Sequence, residues 1–274
     1  MKTSLRHLKA RGRAALARRE IAARRVQPQP HGLDKPLVVS LTSYAARFPT
    51  LADTLRSLLR QTVRADRTVL WLTEEDRRAI PPEIEALKAE GLEFGISPNL
   101  RSFTKIVPAL LAHPDSYIVT ADDDLPYWAG WLEGLVRGMR TAGTTSVTHR
   151  AHRILLGPDG LPVPYATWDW HINAPDAGPL VFATGVLGVI YDAARLHPDA
   201  TRADLFTTLC PSADDIWLYW MTRLGGGTAM KIGGRHRILE WPGSQAQNLR
   251  GHNLTGPMND RALAAMIAHY GFPH

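Results

Sequence analysis

The chain has 274 residues, 45% of them hydrophobic and 21% charged, which suits one sizeable α/β domain with a buried core. Its single cysteine, Cys210, excludes an internal disulfide framework and any cysteine-rich metal site. The net charge of +6 sits in one place: residues 1–25 carry nine Lys or Arg against Glu20 alone, a charge of +8, so the other 249 residues sum to −2. A basic arm on a near-neutral body argues against nucleic acid as the partner. Leu5, Leu8, Leu16 and Ile21 give that arm a thin apolar set. It reads either as a helix on an anionic membrane surface, where each nearby basic residue adds about 1 kcal/mol, or as a solvated arm. No apolar stretch follows the basic start as a secretory signal would. The longest apolar run, Leu180 to Tyr191, falls short of the ~20 residues a bilayer span needs. The expectation is a soluble cytoplasmic protein, with residues 1–25 touching the inner face of the plasma membrane.

Residues 26–36, with three prolines and a glycine, read as a linker. Residues 37–274 then form the folded body. Leu37-Val-Val-Ser-Leu-Thr-Ser43 predicts a buried strand. Thr50 and Asp53 mark a helix start, followed by Leu51, Leu55, Leu58 and Leu59 at helical spacing. Thr68-Val-Leu-Trp-Leu-Thr73 predicts a second strand, Pro81 to Glu90 a helix that Gly91 ends, and Leu92-Glu-Phe-Gly-Ile96 a third strand. Ser102 to Ala112 reads as helix, and Tyr117-Ile-Val-Thr-Ala121 as a fourth strand running into three aspartates. This alternation implies a Rossmann-like, mostly parallel sheet flanked by helices. The second half is less regular, with short strands around 146–149 and 181–189, a helix from Asp214 to Leu224, and a turn at Gly225-Gly226-Gly227.

Ligands of such sheets gather at the carboxyl ends of the strands, where Thr42, Ser43, Thr73, Ser97 and the aspartates fall. Asp122, Asp123 and Asp124 each raise the pKa of the others, so the cluster invites a cation. Mg²⁺ and Mn²⁺ prefer oxygen ligands and commonly share one or two carboxylates with substrate phosphates. The plain alternative is a solvated acidic turn before the next helix. Arg101, Ser102 and Lys105 follow the third strand, where they and a helix N-terminus suit a diphosphate; Arg47 is similar, and surface ion pairs are the alternative. Asp214 and Asp215 open a helix, where capping competes with catalysis. Trp168, Trp170 and His171 suit a sugar face, and core packing competes for the tryptophans.

Four segments together resemble the GT-A-fold glycosyltransferases, particularly family-2-like bacterial enzymes. Ile118-Val-Thr-Ala-Asp-Asp-Asp-Leu125 resembles their Asp-x-Asp segment. Val39-Ser-Leu-Thr-Ser-Tyr-Ala-Ala-Arg47 resembles the first strand and loop that hold base and ribose. Ala183-Thr-Gly-Val-Leu-Gly188 resembles the glycine-containing segment beside donor sugar and acceptor, and Ala213-Asp-Asp-Ile-Trp217 the acidic motif supplying the base. The resemblance covers roughly residues 36–260. It implies a GT-A fold whose residues 37–124 bind the nucleotide and whose residues 125–274 form a more irregular acceptor side. It also implies Mn²⁺ or Mg²⁺, a nucleotide-sugar donor with UDP as the default, and a glycan or glycolipid acceptor in polysaccharide synthesis. Asp124 would be the direct metal ligand; Asp122 would bind metal through water or take the ribose, and Asp123 would do either. Asp215 is the first choice for a base in an inverting transfer, and Asp214 the second. Related enzymes often add a late histidine to the metal, for which His252 is preferred over His236.

Other classes stay open on the residues alone. An Asp-x-Asp phosphatase carries its motif on the first strand, with Thr or Val two places after the second aspartate; here that position is Pro126. A nucleotidyltransferase acting on a sugar phosphate would share sheet and metal, but no Gly-rich basic loop follows the first strand. A non-catalytic sugar- or nucleic-acid-binding protein is the remaining alternative.

Overall fold

The computed structural model describes residues 2–244 and 258–274. In chain order the elements are helix α1 (Lys2–Ala23), strands β1 (Gln29–Pro30) and β2 (Leu37–Thr42), helix α2 (Phe48–Leu59), and strands β3 (Val63–Arg64) and β4 (Arg67–Leu72). Short helices α3 (Glu74–Arg78) and α4 (Pro82–Glu85), strand β5 (Leu92–Ile96), helix α5 (Val107–Ala112) and strand β6 (Tyr117–Thr120) complete the first half. The second half holds α6 (Trp131–Ala142), β7 (Ser146–Thr148), β8 (Ala151–Arg153), β9 (Asp176–Gly178), β10 (Val181–Ala183) and β11 (Val189–Asp192). It ends with α7 (Ala203–Leu209), α8 (Asp214–Leu224), β12 (Ala229–Lys231) and a C-terminal helix, Met258–Tyr270.

Eight strands form one sheet in the order β5-β4-β2-β6-β11-β7-β12-β9. The first four are mutually parallel, β11 runs antiparallel to both β6 and β7, and β12 returns parallel to β7. Alternation along the strands sorts the core into two layers. Leu37, Val39, Leu41, Leu70, Leu72 and Val119 face α2 and α6, whereas Val38, Val69, Trp71 and Ile118 face α5 and α8. Both faces of the strands are thus covered, which is why they read as unbroken apolar runs.

Several boundaries differ from the sequence expectation. Helix α2 starts at Phe48 with Pro49 in its first turn, ahead of Thr50 and Asp53, because proline already has the φ a first turn needs. Asp53 pairs instead with Arg18 of α1 at 2.6 Å. The stretches from Pro81 to Glu90 and from Ser102 to Ala112 each divide into a 3-10 turn and a short α-helix.

The basic arm is a helix packed on the body. Ala14 and Ile21 bury against Trp241, and the Arg18 guanidinium lies 5.2 Å from the Trp241 ring centre. Arg24 donates to the carbonyls of Ser57, Arg60 and Tyr127, the last at 2.6 Å. Leu8 and Leu16 lie on the outward side, each 68% exposed. Among the described residues no helix is long and apolar enough to cross a membrane.

Candidate functional site

Strand register sets the first part of the site. Ser40 of β2 lies beside Thr120 of β6, so three residues further on Ser43 meets Asp123, and its Oγ donates to Asp123 at 2.6 Å. The Ala121 N–H donates to the Ser40 carbonyl, which carries the pairing past the end of β6. Thr54 Oγ1 donates to the Asp123 carbonyl, the Trp241 N–H donates to the Asp124 carbonyl, and the Asp122 N–H donates to the Tyr127 hydroxyl. The aspartate loop is therefore fixed through its backbone, leaving the carboxylates for other partners.

Those partners are cations. Arg47 lies 2.8 Å from Asp124 Oδ2 and 3.7 Å from Asp123 Oδ1. Lys105 lies 3.4 Å from Asp122 Oδ1 and 3.0 Å from Asp214 Oδ2. Burial raises the Asp123 carboxyl to about 6 despite Arg47 and Ser43, with Asp124 and Asp122 adding to the rise. It raises Asp122 as well, against the pull of Lys105. Burial alone would lower Lys105, but Asp214, Asp122 and Asp215 outweigh it and hold the ammonium charged.

The second part of the site comes from the start of α8. The cap position of that helix is Ala213, and Asp214 and Asp215 occupy the first turn, where carboxylates complement the helix dipole. Asp215 Oδ1 accepts the Gly185 N–H at 2.8 Å. A side chain at Gly185 would put its Cβ 3.0 Å from both Asp215 Oδ1 and Lys105 Nζ, so glycine is what admits this approach. Gly188, at φ +85°, lies where a Cβ would fall 2.6 Å from Trp131. Burial and the Asp214 charge raise Asp215 to about 7, against Lys105 and the Gly185 N–H.

A cavity of about 470 Å³ joins the two parts. Its lining runs by contact from Asp122, Asp123, Asp124 and Arg47 through Lys105 to Asp214, and from Asp215 through Gly185 and Thr184 to Arg150 and His171, with His152, Tyr165 and Trp170 also lining it. Other expected residues lie elsewhere. Thr42 donates to the Trp71 carbonyl, and Thr73 caps α3 by accepting the Asp76 N–H. Arg101 is exposed and outside the cavity lining. Trp168 is buried in the core. His236 lines an adjacent cavity, stacked on Trp128 at 4.3 Å. His252 lies outside the described residues. Arg150, His152 and Tyr165 line the cavity too, although no motif singles them out in the sequence. Arg150, in the Thr-His-Arg-Ala-His-Arg run just past β7, was recognisable as another strand-end residue.

Among the described residues no three Asp, Glu, His or Cys side chains are arranged to enclose a metal ion. The oxygen donors still fit a hard cation that takes one or two carboxylates and completes its shell with phosphate oxygens and water. Asp122 and Asp124 line the cavity and repel one another, so a cation there would relieve that repulsion.

No family model and no curated protein matches the chain. Among solved structures it is similar to TarS 1–349 from S. aureus, at 12% identity over 86% of this chain and 72% of that one, with a TM-score of 0.50. It is also similar to the mannosyltransferase PcManGT from Pyrobaculum calidifontis, solved with GDP-Man and Mn²⁺, at 13% identity over 98% and 80% with a TM-score of 0.48. A third is 4-diphosphocytidyl-2C-methyl-D-erythritol synthase from Anaerococcus prevotii, at 15% identity over 75% and 90% with a TM-score of 0.49. At such identities a likeness concerns architecture alone. The chain has a GT-A-like α/β fold, built on a Rossmann-like first half and a mixed second half.

Proposed function

We propose that this chain is a nucleotide-sugar glycosyltransferase that uses Mn²⁺ or Mg²⁺ and inverts the anomeric centre. One observation carries the reading: the Asp122–Asp124 loop and Asp215 line the same cavity, with Lys105 paired to Asp122 and to Asp214, the neighbour of Asp215. Asp122 and Asp124 would hold the cation, with Arg47 beside them for the donor diphosphate. A bound divalent ion supplies neutralising charge for the departing nucleoside diphosphate. Asp215, with a pKa near working pH, takes the proton from the acceptor hydroxyl. The new bond forms from that oxygen to the anomeric carbon as the bond to the diphosphate breaks. Trp170 and Tyr165 line the cavity, where an aromatic ring would suit a sugar. Ser43 is buried and donates to Asp123, so on this reading it would act by orienting that carboxylate.

The test is product analysis with UDP-sugars, Mn²⁺ and glycan acceptors. Release of UDP with a product of opposite anomeric configuration to the donor is expected. Retained configuration removes Asp215 from the role of base. Pyrophosphate released from a nucleoside triphosphate and a sugar phosphate would assign nucleotidyl transfer instead, and inorganic phosphate from a sugar phosphate would assign a phosphatase.

The outward side of α1 extends the reading to location. Leu8 and Leu16 project among the exposed Lys9, Arg11, Arg13 and Arg19, a pattern suited to shallow contact with an anionic bilayer. That pattern supports, as part of the same proposal, a peripheral attachment at the cytoplasmic face of a membrane beside a glycan or glycolipid acceptor.

A further inference from the structure

Beyond the acceptor wall lies a second cavity of about 240 Å³, which shares Arg150, His171 and Ile238 with the first. Its other nitrogen-bearing residues are His149, Lys231, Arg235 and His236, and no carboxylate stands among its described lining residues. Lys231 is 1% exposed. Its ammonium donates to the carbonyls of Ile232 and Gly234 at 3.1 and 3.0 Å, and to that of Gly233. Carbonyl dipoles satisfy its protons and fix the turn leading to Arg235, but they do not cancel its charge. Buried charges normally meet an opposite charge, and no described Asp or Glu forms an ion pair with buried Lys231; Arg235 is exposed and has no described carboxylate partner either. Burial pushes His149 down to about 4 and lowers His236, and burial and then Arg235 lower Lys231, so the lasting positive charge here is that of the two arginines.

His171 spaces those arginines. Its Nδ1 accepts from Arg150 Nε at 2.9 Å, and its carbonyl accepts from Arg235 Nε at 2.6 Å. The backbone at His171 has φ +57°, a left-handed conformation uncommon outside glycine and concentrated at functional sites. Arg150 also donates to Thr184 Oγ1 at 2.6 Å, and the next residue, Gly185, holds Asp215. Arg150 and the base are therefore held by adjacent residues and line the same cavity. With an acceptor hydroxyl at Asp215, a neighbouring part of the acceptor would come to Arg150.

We propose that the acceptor is an anionic glycan, carrying a carboxylate or phosphate about one sugar unit from the hydroxyl that is glycosylated, and that Arg150 and Arg235 bind this oxyanion. Arginine suits the task because its planar fork meets such groups with two parallel hydrogen bonds. The inference rests on the glycosyltransferase reading for the position of the hydroxyl, and on the basic cavity alone for the charge.

The experiment uses the full chain loaded with UDP and Mn²⁺. Calorimetry compares a glucuronate-containing tetrasaccharide, its carboxyl-reduced counterpart and a phosphorylated neutral tetrasaccharide. Wild type should bind one or both anionic probes about 10- to 100-fold more tightly than the reduced one, the range for a charged hydrogen-bonded contact. Whichever anionic probe is preferred names the oxyanion. Arg235→Ala should bring the ratio close to one while UDP affinity changes less than about twofold, and Arg235→Lys should restore part of it. Equal binding of charged and neutral probes by wild type overturns the proposal. So does a loss confined to UDP in Arg235→Ala, which would give the arginines to the donor. UDP release from UDP-sugar, followed with the same protein, keeps the two readings apart. Turnover without charge preference sinks the anionic acceptor only, and charge preference without any turnover sinks the glycosyltransferase only.

Discussion

The two ends of the cavity handle charge in opposite ways. At the acidic end every carboxylate meets a cation or a donor supplied by the protein: Asp124 meets Arg47, Asp123 meets Ser43, and Asp122 and Asp214 meet Lys105. At the basic end Lys231 is held by backbone carbonyls, and Arg235 meets a carbonyl of His171. On the proposed reading the acidic end would exchange Arg47 for a metal ion, and the basic end would receive an anion. The site would then have a direction, with donor phosphates and metal at one end, the acceptor's charge at the other, and Asp215 between them.

The largest effect should come from breaking the acidic end. Asp124→Ala removes the carboxylate nearest Arg47 and should abolish transfer, and UDP binding in Mn²⁺ should weaken with it. Circular dichroism should show the fold retained, since the loop is held by backbone bonds from Trp241 and Thr54. Chelation should stop the wild type, and Mn²⁺ or Mg²⁺ should restore it. Turnover by folded Asp124→Ala, or by the chelated wild type, would remove the metal from the acidic end.

The middle of the cavity is tested by Asp215→Asn, which keeps size and the Gly185 contact while losing basicity. The rate should fall about 10²–10⁴-fold with little change in donor affinity. Asp215 titrates near 7 and is protonated below that, so wild-type kcat/KM should rise with pH through about 7. That limb should vanish in Asp215→Asn. A smaller loss there than in Asp214→Asn would exchange the two roles.

Lys105→Met sharpens the comparison from the other side. It leaves Asp122, Asp214 and Asp215 in a buried site without their shared cation. Stability should fall by about 3–5 kcal/mol, the usual result of removing one member of a buried ion pair. Because Lys105 is the charge that lowers Asp215, the activity limb should move to higher pH in the folded fraction. An unmoved limb would separate Lys105 from the base.

The sequence made the acidic end far more legible than the basic end, and the reason is local. A strand that runs straight into three aspartates states its own chemistry, and parallel neighbours of similar length let Ser43 be placed beside them. Asp215 was readable because the whole helix Asp214–Leu224 has one apolar pattern and an acidic first turn. Its environment was not readable, since Gly185 and Lys105 reach it from two distant elements. The basic end joins Arg150, His171 and Arg235 across three irregular segments, and no periodicity links them. The arm at 1–25 read as separate because its apolar set is thin. In the structure Ile21 of that set buries against Trp241 while Leu8 and Leu16 stay exposed, and Arg18 and Arg24 add contacts to the body.

The smallest effects should come from α1, whose two sides make different claims. Arg24 points inward and bonds three carbonyls, one of them on Tyr127, whose hydroxyl accepts the Asp122 N–H. Arg24→Ala should lower stability by about 2 kcal/mol, as expected for losing charged hydrogen bonds in a mostly buried setting. The thermal midpoint falls accordingly, and transfer at 25 °C changes only a few-fold because the loop keeps its other ties. Lys9→Gln with Arg13→Gln acts on the outward side, where both residues are exposed. That pair should leave the midpoint within about 0.5 kcal/mol of wild type, the usual range for surface changes. It should weaken binding to phosphatidylserine vesicles, and the difference should fade as salt screens the surface. If the outward pair binds vesicles as wild type does, α1 is a brace for the aspartate loop and nothing more. If Arg24→Ala leaves the midpoint unchanged, the helix is an arm after all, and its place against Trp241 contributes little to the fold.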